Sequence, residues 1–550
     1  MSVAVRAGSV GARVADARRE LGLTQKHFAK RVGITLWLLD RIETGVADAA
    51  LHLAAIADVT GRPPAWFTGA SVTVATSPRT ARPRLVSTVQ SRVVTGRDLV
   101  LASLALLVLI RFFTEVVPVL PRAANFVDIP IFLVLSAAAL TRRTRPVSSP
   151  SFRAAVILFL FVCGIAVLAN LSRIEPGPVL VFLYGFLAPI GVGAAVYALW
   201  PAGQAHSLSR ALVALGVIQL LVVALIDLPR FISSGNPDVV SGTFGTNAYQ
   251  LVFFLLVFTA LLAGIFTFEK KRAAARFAVP LFGAVLATVF LAQYRALLVT
   301  SAITVLFIGA LVGTRGRGIV AATFVAAAFV LSLAYVAQHF PGLRFAPTVS
   351  SLQRDPGFYV TKRLQAAKSV VHLFNDHPRF LFTGTGPGTF SSRAWQTFAN
   401  ANSKSRSNVQ GGYVRAITGG RAYSTDVSEK YVAPLEAGPV IGGSRAVTAP
   451  FSSYTSLVAE VGLIGFFLMA GVYIAATGRS IRLAQRSIRG ARPGDPVPAL
   501  LVACAAGFVV LLQMGFLDNW LEVTRVTFLV WMLFGAMSKE LSSRDEGTAP

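Results

Sequence analysis

The chain has 550 residues, 54% of them hydrophobic and 14% charged, a balance that excludes a soluble globular enzyme and points to a polytopic membrane protein. Its two cysteines, Cys163 and Cys504, lie inside apolar runs, which excludes a disulfide framework and a cysteine-based metal site. Lys and Arg total 51 against 25 Asp and Glu, a formal charge of +26, so the placement of that charge decides whether it serves nucleic acid, anionic lipid or membrane topology.

Residues 1–68 differ from the rest. The stretch GARVADARRELGLTQKHFAKRVGITLWLLDRIETG is polar, charged and helical in period. No signal peptide is expected, because the first sufficiently long apolar run begins near Leu99. Gln25 opens a second helix, Ala29 lets two helices approach, Gly33 takes the turn, and Leu39 and Ile42 face the core. The segment resembles the Cro/repressor-type helix-turn-helix family. Its recognition helix, TLWLLDRIE, carries Leu36, Trp37, Leu38 and Asp40 where a DNA reader carries Arg, Asn, Gln or Ser. Specific DNA binding is therefore not expected, and an apolar face of this kind suits a protein partner. A similar module occurs in membrane-anchored cell-shape proteins of the RodZ type, a resemblance that implies a cytoplasmic protein partner. Residues 69–98 read as a basic linker beside an anionic leaflet.

From Leu99 onward roughly twelve apolar segments approach the length that crosses a bilayer. They lie near 99–120, 124–140, 153–169, 177–200, 208–228, 248–268, 277–292, 296–312, 319–337, 454–476, 498–516 and 524–538. Arg111 and Glu115 fall inside the first, four residues apart, so they share a helix face and can pair. The basic loops beginning at 141, 269, 314 and 478 fall on one side of this arrangement, which the positive-inside rule makes the cytoplasm. The helix-turn-helix domain and the tail, 539–550, are then cytoplasmic as well. The fold expected is an all-α polytopic helix bundle, with residues 338–452 as a large extracytoplasmic loop. That loop is rich in Arg and Lys, which suits an anionic substrate at the outer face.

Within the loop, Asp376 to Phe390 reads DHPRFLFTGTGPGTF. The glycines lack the Lys-Ser/Thr ending of a nucleotide P-loop, and taken alone the stretch is equally a tight turn closing a helix. It follows an amphipathic helix, RLQAAKSVVHLFND, beginning at Arg363, and precedes SSYTSLVAEVGLIGFFLMAG at 452–471. With GTFGTNAYQL at 242–251 and QYRALL at 293–298, these elements resemble the O-antigen ligase and polymerase family, the Wzy/WaaL-like membrane proteins.

The resemblance covers most of residues 99–538. It implies an inverting, metal-independent glycosyltransferase of GT-C-like type in the bacterial inner membrane. Such an enzyme polymerises or ligates glycans carried on polyprenyl pyrophosphate, uses no cofactor, and takes a glycan or lipid acceptor at the outer face. By match to the family's elements, Arg295, Arg363, His377 and Glu460 are the implied catalytic residues. Gly384, Gly386, Gly388 and Tyr454 are the implied substrate-binding residues. An arginine suits a departing pyrophosphate because its guanidinium makes bidentate phosphate contacts. The sequence departs from the family at Phe451 and Ser452, where ligases carry a His-Asn pair and where the His is thought to activate the acceptor. Two other readings use the same features: a flippase or exporter for lipid-linked oligosaccharides, and a membrane-anchored helix-turn-helix sensor. An internal repeat, short outer loops and midplane charges would mark the first; a polar recognition helix would mark the second.

Overall fold

A computed structural model describes residues 9–47, 49–62, 64–68, 95–142, 150–234, 239–268, 272–292, 295–312, 358–399, 423–436, 452–492 and 494–547. The described residues are helical or irregular and contain no strand. They separate into two units, Met1–Arg92 and Val93–Pro550.

Among its described residues, five α-helices build the first unit: α1 (Val10–Glu20), α2 (Gln25–Val32), α3 (Leu36–Glu43), α4 (Leu53–Thr60) and α5 (Pro64–Thr68). Side-chain hydroxyls cap the first three. Ser9 accepts from Ala12 N, Thr24 from His27 N and Thr35 from Leu38 N, satisfying donors that a helix N-terminus leaves open. Gly33 takes the turn in the left-handed region at φ 79°. Phe28, Leu39, Ile42, Ile56 and Phe67 form the core. Arg18 pairs with Glu43 at 2.6 Å, and Gln25 Nε2 donates to the same carboxylate at 2.9 Å, which joins α1, α2 and α3 through one buried charge.

In the second unit, α6 (Gly96–Arg111) starts three residues before the expected 99, because Thr95 and Asp98 form a reciprocal capping box. It continues through one π-turn to Val116. The helices α7 (Asp128–Leu140), α8 (Pro150–Ala169), α9 (Pro176–Leu199), α10 (Ala205–Val222), α11 (Leu228–Ser234), α12 (Ala248–Phe268), α13 (Arg272–Ala292) and α14 (Arg295–Val312) follow. Next come four shorter or amphipathic helices, α15 (Phe358–Asp376), α16 (Phe380–Thr383), α17 (Arg393–Ala399) and α18 (Asp426–Tyr431), then α19 (Ala433–Glu436). Three long helices close the chain: α20 (Ser453–Arg489), α21 (Val497–Leu517) and α22 (Thr524–Gly547).

Among the described residues, seven helices are long and apolar enough to cross a membrane: Gly96–Val116, Phe152–Ala169, Pro176–Leu199, Ala205–Ser234, Ala248–Phe268, Ser453–Arg489 and Val497–Leu517. Three shorter apolar helices, Asp128–Leu140, Pro280–Ala292 and Thr300–Leu311, match further expected segments. The expected segment 319–337 lies outside the described residues. The last expected segment, 524–538, belongs to α22, which runs on through most of the expected tail. Glu540 explains that extension: its carboxylate accepts from Trp200 Nε1 at 3.1 Å, Gly203 N at 2.8 Å and Gln204 N at 2.8 Å, so the turn after α9 holds α22 in register.

Packing is densest where α9 and α22 meet and where α12, α20 and α21 meet. Trp531 lies edge-on to Phe508 at 5.2 Å, Phe534 at 5.6 Å and Tyr473 at 5.7 Å, a geometry that favours aromatic pairs beyond simple burial. A smaller core of Ala366, Val370, Leu373, Phe380, Phe390, Trp395 and Tyr431 unites α15 to α18 over the start of α20. That lobe marks the loop-bearing end of the bundle.

Candidate functional site

The glycine-rich stretch lies between α16 and α17 and closes around the side chain of Glu460. Gly388 N donates to Glu460 Oε2 at 2.6 Å, while Phe390 N, Ser391 N and Ser392 N donate to Oε1 at 3.1, 3.0 and 2.9 Å. Four backbone N–H groups thus face one fully buried carboxylate. Successive amides pointing into one concavity form an anion-binding nest. Here the anion is supplied by the chain itself.

The backbone on the other side is equally engaged. Thr385 N donates to Ala459 O at 2.9 Å and Gly386 N to Glu460 O at 2.9 Å. These carbonyls are free to accept because α20 breaks at Gly462, whose φ of 69° interrupts its helical ladder. The approach leaves no space for side chains: a Cβ on Gly384 would meet Glu460 O at 2.2 Å, and one on Gly462 would meet Phe382 O at 2.5 Å. Around this clamp, Asn170 Nδ2 donates to Gly384 O at 3.1 Å and Asn519 Nδ2 to Ser391 O at 2.9 Å, and the Ser391 and Ser456 hydroxyls meet at 2.8 Å.

The clamp fixes where α17 begins. Its first residue, Arg393, donates its backbone N–H to Glu522 Oε2 at 2.7 Å and sets its guanidinium 5.9 Å from the centre of the Tyr249 ring. Tyr249 interacts electrostatically with Arg393 and Arg111. Arg525, in the first turn of α22, interacts with Arg111, Asp128, Tyr249 and Glu115. The charges of three arginines, on α6, α17 and α22, therefore act on one tyrosine at the loop-bearing end.

A network of acidic and polar groups positions Arg111 and Arg525. Arg111 and Glu115 pair at 3.7 Å, as their four-residue spacing predicts. Asn125 Nδ2 and Thr246 N donate to Glu115 at 2.9 and 3.0 Å, and Arg525 Nη2 donates to Asn125 O. Asp128 accepts from Thr524 Oγ1 at 2.7 Å and Tyr184 OH at 3.2 Å. Four buried polar atoms, Arg111 Nε, Arg525 Nη1, Gln250 Oε1 and Glu522 Oε1, have no hydrogen-bond partner among the described residues. The first two are donors suited to phosphate oxygens and the last two are acceptors suited to hydroxyls. Glu522 lies in the connection between α21 and α22. Burial pushes its carboxyl up to about 8, with the negative charge of Glu460 adding to the effect.

The residues proposed from sequence are dispersed relative to this centre. Gly384, Gly386, Gly388 and Glu460 come together, as the clamp itself. Tyr454 donates its hydroxyl to Leu512 O at 2.7 Å and so ties α20 to α21. His377 is exposed at the end of α15, its ring 5.3 Å from that of Phe380, and its backbone N–H donates to Leu373 O at 3.0 Å. Arg363 is half-buried on α15 and has an interaction partner. Arg295 opens α14, with its side chain outside the described residues, as is Phe451. Arg393 falls among the many basic residues of the loop and Tyr249 inside GTFGTNAYQL, but neither is singled out by the sequence, nor are Glu522 and Arg525. A signal was present for Arg525, a charge in the first turn of an apolar helix. Among the described residues no group of His, Cys, Asp and Glu has the arrangement of a metal site.

The helices and the N-terminal unit define a class: an all-α membrane protein of the multi-pass kind that carries a helix-turn-helix domain. Comparison with protein families agrees on the second part, since the helix-turn-helix family HTH_3 matches residues 14–67. A search of curated proteins returns no match for the chain.

Proposed function

We propose that the protein is an integral-membrane glycosyltransferase that polymerises or ligates glycans carried on polyprenyl pyrophosphate, with the loop-bearing end facing outward. One observation carries the reading: elements of three separate motifs converge on one charged centre. GTFGTNAYQL supplies Tyr249, the glycine loop delivers Arg393 against it, and the Glu460–Gly462 break anchors that loop. The arrangement also offers a base in place of the residue missing at Phe451. In this scheme the acceptor hydroxyl, held at Glu522 Oε1, attacks the anomeric carbon of the donor. Its proton passes to the Glu522 carboxylate, the bond between the anomeric carbon and the phosphate oxygen breaks, and the pyrophosphate leaves toward Arg111, Arg393 and Arg525. Fixed guanidinium groups stabilise that developing charge, and a carboxyl titrating near the working pH suits proton removal.

The test is deletion of the gene followed by analysis of lipid-linked and surface glycans. Accumulated single repeat units on the lipid mark a lost polymerase, and full-length lipid-linked polymer marks a lost ligase. Unaltered glycans would remove the proposal.

A further inference from the structure

A cavity of about 980 Å³ opens among α8, α9, α20 and α22. Its walls are apolar, with Leu160, Ile190, Val472 and Trp531 among them, and glycines at 191, 193 and 471 thin the helices that form it. Three arginines complete the lining: Arg153, Arg479 and Arg482. They sit away from the loop-bearing end. Arg153 lies at the start of α8, whose far end carries Asn170 against Gly384. Arg479 and Arg482 lie in the last third of α20, far from Glu460. None of the three has an acidic partner among the described residues. They belong to the same end as the basic stretch that runs to Arg492.

We infer that this cavity is a binding site for one anionic phospholipid of the cytoplasmic leaflet. Its volume is at the upper end of the range, about 300–1,000 Å³, that small-molecule sites occupy. Its shape pairs a long apolar wall with cationic groups at one end only, the complement of acyl chains that end in a phosphate. A guanidinium engages phosphate through two parallel hydrogen bonds, and basic pockets between helices on the cytoplasmic side suit anionic headgroups. A partner helix would be a poorer occupant, since its apolar face would cover three charges without pairing them. The site is separate from the arginine centre at the other end, so it stands whether or not the transferase reading holds.

Native mass spectrometry on the full-length protein in an uncharged detergent tests the inference. The probes are phosphatidylglycerol, phosphatidylcholine with the same acyl chains, and glycerol phosphate. Phosphatidylglycerol is expected to be retained as one molecule per chain, phosphatidylcholine to be lost on washing, and glycerol phosphate alone not to be retained. Each arginine near an anionic headgroup is worth a factor of about five, so the double variant Arg479→Ala/Arg482→Ala should weaken phosphatidylglycerol binding about twenty-five-fold. Gly471 has open space where a side chain would project. Gly471→Phe should therefore expel the lipid while leaving the melting temperature in lipid-free detergent unchanged. Equal retention of the two phospholipids, glycerol phosphate retained as firmly as the lipid, or wild-type lipid binding by Gly471→Phe would each overturn the site. Should a variant fail to fold, the three probes on the wild-type protein decide the matter alone.

Discussion

At the scale of single residues, Glu460 and Glu522 are both buried carboxylates but differ in how their oxygens are partnered. Glu460 is saturated by four amides, and replacing it leaves buried donors without an acceptor. Glu460→Gln should cost on the order of 3 kcal/mol of stability, because each hydrogen bond to a charged group is worth about 1.5–3 kcal/mol. A melting temperature equal to wild type in detergent would show that the clamp is not structural. Glu522 keeps one oxygen free and titrates near 8. Its folded value is raised above the unfolded one, so the folded state holds the proton more tightly and stability falls as pH rises from about 4 toward 8. Activity, which needs the deprotonated base, should rise over the upper part of that window. Glu522→Gln is expected to flatten the loss of stability and to abolish transfer. Transfer that persists in this variant would assign the base elsewhere. Arg393→Lys keeps the charge but loses the bidentate fork, and the range for one lost transition-state donor is about a hundredfold to a thousandfold in rate. Near-normal transfer at equal protein abundance would make Arg393 a structural residue.

At the scale of elements, much was legible before the structure. The helix-turn-helix announced itself through Gln25, Ala29, Gly33, Leu39 and Ile42, because each type answers a local demand of that motif. On the recognition helix Trp37 and Leu36 are 65% and 47% exposed, and Arg41 lies 4.9 Å from the Trp37 ring centre. That face lacks base-reading groups, so residues 1–68 in isolation should bind DNA weakly, with steep salt dependence and little sequence preference. Recovery of a selected site bound at nanomolar affinity in physiological salt would revive a sensor role. The glycine loop was legible as a turn that could hold an anion, but its occupant was not. Periodicity and turn chemistry report on neighbours in sequence, and nothing in GTGPG names a glutamate on a later helix.

The same limit applies to the centre around Tyr249. Arg111 and Glu115 could be paired from their spacing, whereas Arg393 and Arg525 meet Tyr249 only because α6, α12, α17 and α22 end together. At the scale of the whole molecule, the expected topology puts α15 and the helix-turn-helix on opposite sides of the membrane. Asn375 and Lys30 are both exposed, and the native thiols Cys163 and Cys504 are buried. An impermeant thiol reagent on intact cells should label Asn375→Cys and spare Lys30→Cys. The reverse pattern would turn the proposed active site inward.

The clamp has a further consequence for how such a chain can change over evolutionary time. The bond from Gly388 to Glu460 joins positions 72 residues apart, so it works as a non-covalent staple at the base of a long excursion. Closing a longer excursion costs little, about 0.6 kcal/mol for each doubling in length. Insertions and deletions between Ala399 and Tyr423, or between Glu436 and Ser452, which spare the buried residues of α18, should leave Arg393 and Glu460 where they are. The stapled base holds the centre in place, and the stretches on either side of α18 and α19 can lengthen or shorten without moving it.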